Sequence, residues 1–262
     1  MTTDTQDLLY QFSGGIARIT INRPQARNSF TFEMYRKLAD ICERINSDDA
    51  VKILVLTGAG DKAFSAGTDI SVFKDFTTPD DALGYEAFMD RVLSSLEKCR
   101  VPTIAAIAGA CTGGGGAIAA ACDLRIGTED SKFGFPIART LGNCLSMGNL
   151  ARLSALIGPA RVKDILFTAR LVGAKEAHEI GLLTEVTKDR AELDARVATL
   201  AEQIAGFAPL TLRATKEGLR RLYAREREPS DQDLILMCYM SDDFREGMNA
   251  FLEKRSPKWQ GK

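Results

Sequence analysis

Residues 111–123, CTGGGGAIAAACD, set the first constraint on how this chain folds. Four consecutive glycines, Gly113 to Gly116, run directly into a series of alanines and one isoleucine. A backbone bare of side chains at that point must approach something closely, and the small residues after it suit a tightly packed helix. Outward from this knot, TIAAIAG (Thr103–Gly109) reads as a buried strand before it and DLRIGT (Asp123–Thr128) as a strand after it. The chain thus passes from strand to turn to helix to strand.

The same grammar appears earlier. GIARITIN (Gly15–Asn22) alternates apolar Ala17, Ile19 and Ile21 with polar neighbours, which is the period of a half-buried strand. From Thr31 the spacing becomes Met34, Leu38, Ile41, Ile45, one face of an amphipathic helix. KILVLTG (Lys52–Gly58) is continuously apolar and predicts a strand covered on both faces. Thr78, followed by Pro79, Asp80 and Asp81, predicts a helix start, with proline at the first helical position and acids at the positive end of the dipole. Beyond about Gly148 the pattern is helical, through RVKDILFTAR, AKEAHEIG, ELDARVATLAEQIAG, TLRATKEGLRRLY and DQDLILMCYMSDDFREGMNAFLEKR, with a short LTEV interruption. This order predicts an α/β core followed by a helical C-terminal region, with residues 1–200 as the core and 201–262 as the helical part.

Composition narrows the function. The chain has 262 residues, 45% of them apolar, enough for a sizeable core. Its 34 basic and 35 acidic side chains nearly balance, so no electrostatic case exists for nucleic acid or an anionic membrane as partner. The start, MTTDTQDLLYQF, has neither the basic flank nor the apolar stretch of a secretion signal, and a cytoplasmic location is expected. Six cysteines without CxxC spacing predict reduced thiols rather than a zinc site or a disulfide framework. GAGDKA (Gly58–Ala63) has the outline of a dinucleotide turn, but FSAGTD after it does not open a helix. The four glycines lack the Lys-Ser or Lys-Thr of a phosphate-binding loop. His178, the single histidine, lies between Ala177 and Glu179 and reads as a solvated helix residue, so a Ser-His-Asp scheme is disfavoured and a histidine-rich metal site is excluded.

What remains is a pair of turns, AFSAGTDI (Ala63–Ile70) after one buried strand and CTGGGGAI after the next. Two backbone N–H groups from such turns can converge on one carbonyl oxygen, and small residues leave room for it. Close helix packing is the other use of the same glycines.

The chain resembles the crotonase (enoyl-CoA hydratase/isomerase) superfamily from about Leu9 to Trp259. The resemblance is carried by ITINRPQARNSF, KILVLTGAGDKAFSAGTDI, VPTIAAIAGACTGGGGAIAAACDLRIGTEDSKFGFP, LVGAKEAHEIGLLTEV and FREGMNAFLEKR. It implies a spiral of ββα turns with a C-terminal helical trimerisation region, assembled as a homotrimer or a dimer of trimers. It also implies an oxyanion hole, formed by the Ala66 and Gly114 amides around an acyl-CoA thioester carbonyl, with coenzyme A as part of the substrate and no separate cofactor or metal. Gln25, Ala26 and Arg27 are expected along the coenzyme path, with Arg27 on a phosphate. Ala66, Gly67, Thr68, Asp69 and Gly114 are expected against the thioester, Asp69 as a brace of its loop. Phe251 and Lys254 match positions that reach the coenzyme of a neighbouring subunit.

The two glutamates that hydratases of this family carry fall here at Ala117 and at Ile137, or at Ala138 if the loop-length difference lies earlier. Neither aliphatic side chain moves a proton, and a positioned acid or base is worth ~10²–10⁴ in rate. Enolate stabilisation survives that loss. Substitutes are sought in Asn143, Cys144 and Ser146, after FGFPIARTLG, and in Glu86 on the helix before TIAAIAG, whose default reading is solvent-facing. The resemblance implies hydration of a 2-enoyl-CoA, with isomerisation, thioester hydrolysis, decarboxylation or silent acyl-CoA binding as alternatives.

Overall fold

The computed structural model describes residues 7–224 and 232–261. An antiparallel hairpin of β1 (Leu8–Ser13) and β2 (Ile16–Ile21) opens the fold, followed by α1 (Phe32–Asn46), whose first turn is capped by the Thr31 hydroxyl accepting from the Met34 amide. Then a unit recurs. A long strand enters a large sheet, a three-residue strand enters a small one, and helix follows. The first such unit is β3 (Ile53–Gly58), β4 (Ala63–Ser65) and α2 (Pro79–Glu97), with a 3-10 turn at Ile70–Asp75 between β4 and α2. Next come β5 (Thr103–Ile107), β6 (Ala110–Thr112) and α3 (Gly114–Ala121), then β7 (Leu124–Thr128), β8 (Lys132–Gly134) and α4 (Ile137–Thr140). This is the ββα spiral that the resemblance implies.

After it come α5 (Met147–Ile157), α6 (Pro159–Thr168), β9 (Val172–Gly173), α7 (Ala174–Glu179), β10 (Glu185–Thr187), α8 (Arg190–Ala205), α9 (Pro209–Ala224), α10 (Gln232–Tyr239) and α11 (Asp242–Leu252). The large sheet has the order β1-β2-β3-β5-β7-β10 and is parallel from β2 onward; the small one has the order β4-β6-β8-β9. GAGDKA leads from β3 into strand β4, not into a helix, which removes the dinucleotide reading.

Every residue of β3 is buried because the sheet is covered twice. Leu54 and Leu56 face the main core with α1 and α2, whereas Ile53 and Val55 face Leu193, Val197 and Ile204 of α8. Burying each such side chain contributes ~1.5–3 kcal/mol, against ~0–1 kcal/mol for a surface ion pair; Arg190–Asp194 on the same helix is half-buried. Apolar burial therefore seats α8. The α2 start is as expected, with Thr78 and Asp81 capping each other reciprocally.

The long helical stretch predicted from Asp231 divides in two; Asp231 itself lies outside the described residues. Ser241 interrupts it by accepting from the Phe244 amide and so starting α11 afresh. The resulting bend folds α10 and α11 back over α2 and the 3-10 turn of the same chain, where Phe73, Ala82, Leu141, Ile235, Tyr239 and Phe244 form a separate apolar cluster. That fold-back carries Tyr239 to α2.

Candidate active site

The turn after β4 spends most of its backbone donors internally. Ala66 donates to the Arg27 carbonyl at 2.9 Å, Asp69 to the Phe30 carbonyl at 2.8 Å, and the Gly67 amide to Ser65 Oγ at 3.1 Å. The Thr68 N–H has no acceptor among the described residues. Ala66 is therefore not the free donor expected of it, because its N–H is already committed; the amide this turn leaves for a ligand is that of Thr68. Gly67 has φ 103°, and a Cβ there would stand 2.9 Å from the Gly114 nitrogen and obstruct it.

On the facing turn, Gly113 (φ 53°) donates to the Gly134 carbonyl at 3.0 Å, and Gly114 begins α3. First-turn N–H groups of a helix have no intrahelical partner and carry the positive end of its dipole. A Cβ on Gly114 would overlap the Tyr35 hydroxyl and lie 3.3 Å from the Thr68 nitrogen, so the two unspent amides are neighbours. Gly115 is excluded from bearing a side chain by the Ser65 carbonyl, 2.5 Å from its would-be Cβ, and Gly116 is pressed by Phe135. Each glycine of the knot after Gly113 thus has its own steric reason.

Two side chains lock this arrangement. Asn28, which is buried, donates through Nδ2 to the Ala63 and Ala59 carbonyls at 2.6 and 3.0 Å and accepts from the Arg23 amide at 3.0 Å. Arg23 reaches Asp69 at 3.2 Å, while Asp69 also accepts from the Ser71 amide and hydroxyl. Partial desolvation pushes the Asp69 carboxyl up, but the Ser71 hydrogen bonds and the Arg23 guanidinium outweigh it and hold the group below its ordinary value. Asp69 thus ties Arg23, through Ser71, to the 3-10 turn at Ile70–Asp75. Gln25, Ala26 and Arg27 form or follow a 3-10 turn beside it; the Gln25 and Arg27 side chains are exposed, and only the Arg27 carbonyl touches the site turn. Phe251 and Lys254, at the end of α11 and just beyond it, are exposed as well.

Above the two amides lies a run of polar groups. The Thr68 hydroxyl is 2.9 Å from that of Tyr35 and 2.9 Å from that of Tyr85. Glu86, next in sequence, is 5% exposed and accepts from the Tyr239 hydroxyl at 2.6 Å; Asn143 Nδ2 donates to the same hydroxyl at 3.2 Å. The solvent-facing default for Glu86 is therefore wrong: α10 closes over it. Burial first, then the Glu86 charge, raises the Tyr239 phenol well above its ordinary value. Burial likewise raises Tyr85, with the nearby Glu86 carboxylate and the Tyr35 phenol adding to it. Both remain neutral hydrogen-bonding groups. Carboxylate, hydroxyls and bare amides together make a site able to polarise a carbonyl and move a proton next to it.

The remaining candidates divide. Ala117 is buried, Ile137 half-buried and Ala138 exposed, so no carboxylate occupies the family positions. Ser146 is fully buried, caps α5 and donates to Asp90 at 3.1 Å, which is structural work. Cys144 lies beside Cys238 of α10, and its hydrogen bond pulls the Cys238 thiol down to about 7 against the opposing effect of burial. The more acidic thiol is thus Cys238, which sequence reasoning missed. His178 is exposed, with Nδ1 3.1 Å from the Leu183 carbonyl. A cavity of about 660 Å³ lined by Lys98, Arg100, Arg213 and Lys216 lies by the C-terminal end of α2 and shares no residue with the site.

No helix among the described residues is long and apolar enough to cross a membrane. The sequence profile of the enoyl-CoA hydratase/isomerase family matches residues 11–262. A crotonyl-CoA hydratase of Syntrophomonas wolfei is 34% identical over 98% of this chain and 99% of its own length. The peroxisomal Delta(3,5)-Delta(2,4)-dienoyl-CoA isomerase of Arabidopsis thaliana is 31% identical over 93% of this chain and 92% of its own length. Among solved structures, a methylmalonyl-CoA decarboxylase in complex with 2-nitronate-propionyl-CoA superposes with a TM-score of 0.89 at 28% identity, covering 98% of this chain and 99% of that one.

Proposed function

The chain belongs to the enoyl-CoA hydratase/isomerase family, and from that membership we propose that it hydrates a 2-enoyl-CoA by a route in which Glu86 replaces the two family glutamates. The thioester oxygen sits between the Thr68 and Gly114 amides. Glu86 takes a proton from water as its oxygen adds to C3, the C2=C3 electrons move onto the thioester oxygen as an enolate, and Glu86 returns the proton to C2. Losing one oxyanion donor typically costs ~10²–10³ in rate. The observation that supports this reading is a buried carboxylate held by Tyr239, one residue along α2 from Tyr85, whose hydroxyl meets that of Thr68.

Coenzyme A enters only as part of the substrate, past Gln25, Ala26 and Arg27. The homotrimer or dimer of trimers, in the cytoplasm, belongs to the same proposal; exposed Leu210, Leu219 and Leu222 on α9 support association. The test is loss of the conjugated thioester absorbance of crotonyl-CoA. Turnover by the wild type that disappears in Glu86→Gln supports the reading, and wild-type binding without turnover overturns it.

A second reading, double-bond isomerisation, is favoured by the single carboxylate, since one base can lift a proton from one carbon and return it two carbons away. Conversion of 3-butenoyl-CoA to crotonyl-CoA, read as a gain of the same absorbance, separates it from hydration.

A further inference from the structure

The cavity of about 660 Å³ by the C-terminal end of α2 has no part in the proposed chemistry, and its lining departs from a chain whose 34 basic and 35 acidic side chains nearly balance. Five cations line it against two carboxylates. Some of that charge is spent. Lys216 holds Asp123 at 2.7 Å, and Arg100 pairs with Asp49 at 3.4 Å while covering the Ile45 and Val51 carbonyls where α1 ends. Glu97 is held by Arg152 at 2.9 and 3.1 Å. Glu217 takes both Arg220 and Arg221 at 2.7 Å, which leaves one positive charge over from that trio. The Lys98 and Arg213 side chains have no ion pair or hydrogen bond among the described residues. Three positive charges thus stand uncompensated around one concavity, whose walls concentrate their field. Asn46 accepts from the Arg100 amide at 2.8 Å through Oδ1, leaving its Nδ2 as a further donor to the same space.

We propose that this cavity is an anion site that takes the diphosphate group of a small molecule. At neutral pH such a group carries about three negative charges, the number left uncompensated here, and its oxygens suit the planar forks of Arg213 and Arg221. The volume lies within the ~300–1,000 Å³ of small-molecule sites, so there is room beyond the phosphates, where Leu210 and Ala214 offer an apolar surface. Leu210, Arg213, Ala214, Glu217 and Arg221 recur at helical spacing as one stripe of α9, whereas Leu219 and Leu222 lie off it, so association through those two leucines does not use the cavity lining. The charge of the cavity is independent of the acyl-CoA reading.

Calorimetric titration at low salt with ADP and, separately, with pyrophosphate tests the site. Wild-type protein is expected to bind at least one of them with a Kd below about 1 mM. Lys98→Ala/Arg213→Ala, at two exposed positions, is expected to weaken that binding at least about tenfold. ADP is also part of coenzyme A, so Arg27→Ala, on the expected coenzyme path, is the control and should leave the affinity within about twofold. Tighter binding of ADP assigns a nucleotide-like ligand; equal or tighter binding of pyrophosphate assigns the free inorganic ion. No binding of either, affinity unchanged in the double variant, or affinity lost in Arg27→Ala instead overturns the site. None of these outcomes bears on the acyl-CoA reading, which the crotonyl-CoA assay tests.

Discussion

Glu86 and Tyr239 are 153 residues apart in sequence, yet the Tyr239 hydroxyl donates to the Glu86 carboxylate at 2.6 Å. The contact exists because α10 packs across α2, and it turns a helix-surface position into a sheltered carboxylate. Tyr239→Phe removes the donor and leaves the ring packed against Phe73 and Phe244. Turnover is expected to fall about 10- to 100-fold, since a hydrogen bond to a charged group is worth ~1.5–3 kcal/mol. KM should change by less than about threefold. Steady-state kinetics with crotonyl-CoA checks both numbers.

Gly114→Ala places a methyl group on the Tyr35 hydroxyl. The variant should lose activity by at least about tenfold, because the Thr68 and Gly114 amides are displaced from each other. Tyr35→Phe takes away the atom that is struck, so the double variant Gly114→Ala/Tyr35→Phe should recover part of the loss. A double-mutant cycle measures that coupling, and additive effects would contradict the close packing of Tyr35 against Gly114.

Stability should depend heavily on Asn28, whose side chain joins the Arg23 amide to the Ala59 and Ala63 carbonyls. Asn28→Ala strands three backbone partners, the Ala63 carbonyl buried and the other two half-buried, and also puts alanine at φ 57°. Chemical denaturation should show a loss of about 2–4 kcal/mol.

Cys238 should be the thiol that reacts first. Its pKa, brought down to about 7 by the Cys144 hydrogen bond, means that the reactive thiolate fills as pH rises through about 7. The rate of iodoacetamide labelling at Cys238, followed by peptide mass spectrometry, should rise through that range. In Cys144→Ala the midpoint should move up toward the ordinary ~8.5 of a free thiol. The buried Cys111 and Cys122, both raised by desolvation, should label only on unfolding.

Local patterns made the framework legible. The alternation at Gly15–Asn22, the apolar run at Lys52–Gly58 and the cap at Thr78 each state their structure within a few residues. Strand β1 carries an aromatic–polar alternation, Tyr10 and Phe12 against Gln11 and Ser13, but all four residues are exposed, so the pattern marks no buried face. The small sheet was hidden because its strands of two or three residues are too short to have a period. At the site, glycine spacing located both turns but not which amide was free. That depends on an acceptor from elsewhere, the Arg27 carbonyl, which takes the Ala66 N–H. Glu86 was visible as a candidate, whereas Tyr239 and Cys238 were not, since both reach the site through the fold-back at Ser241.

The proposed enolate, formed between the Thr68 and Gly114 amides by the action of Glu86, is read by solvent-deuterium exchange without any need for the full reaction. Butyryl-CoA incubated with the protein in D2O should gain deuterium at its α-carbon, as seen by mass spectrometry, and Glu86→Gln should slow the exchange by about 10²–10⁴-fold. Exchange by Glu86→Gln at the wild-type rate, or bound butyryl-CoA that takes up no deuterium from wild-type protein, would contradict it.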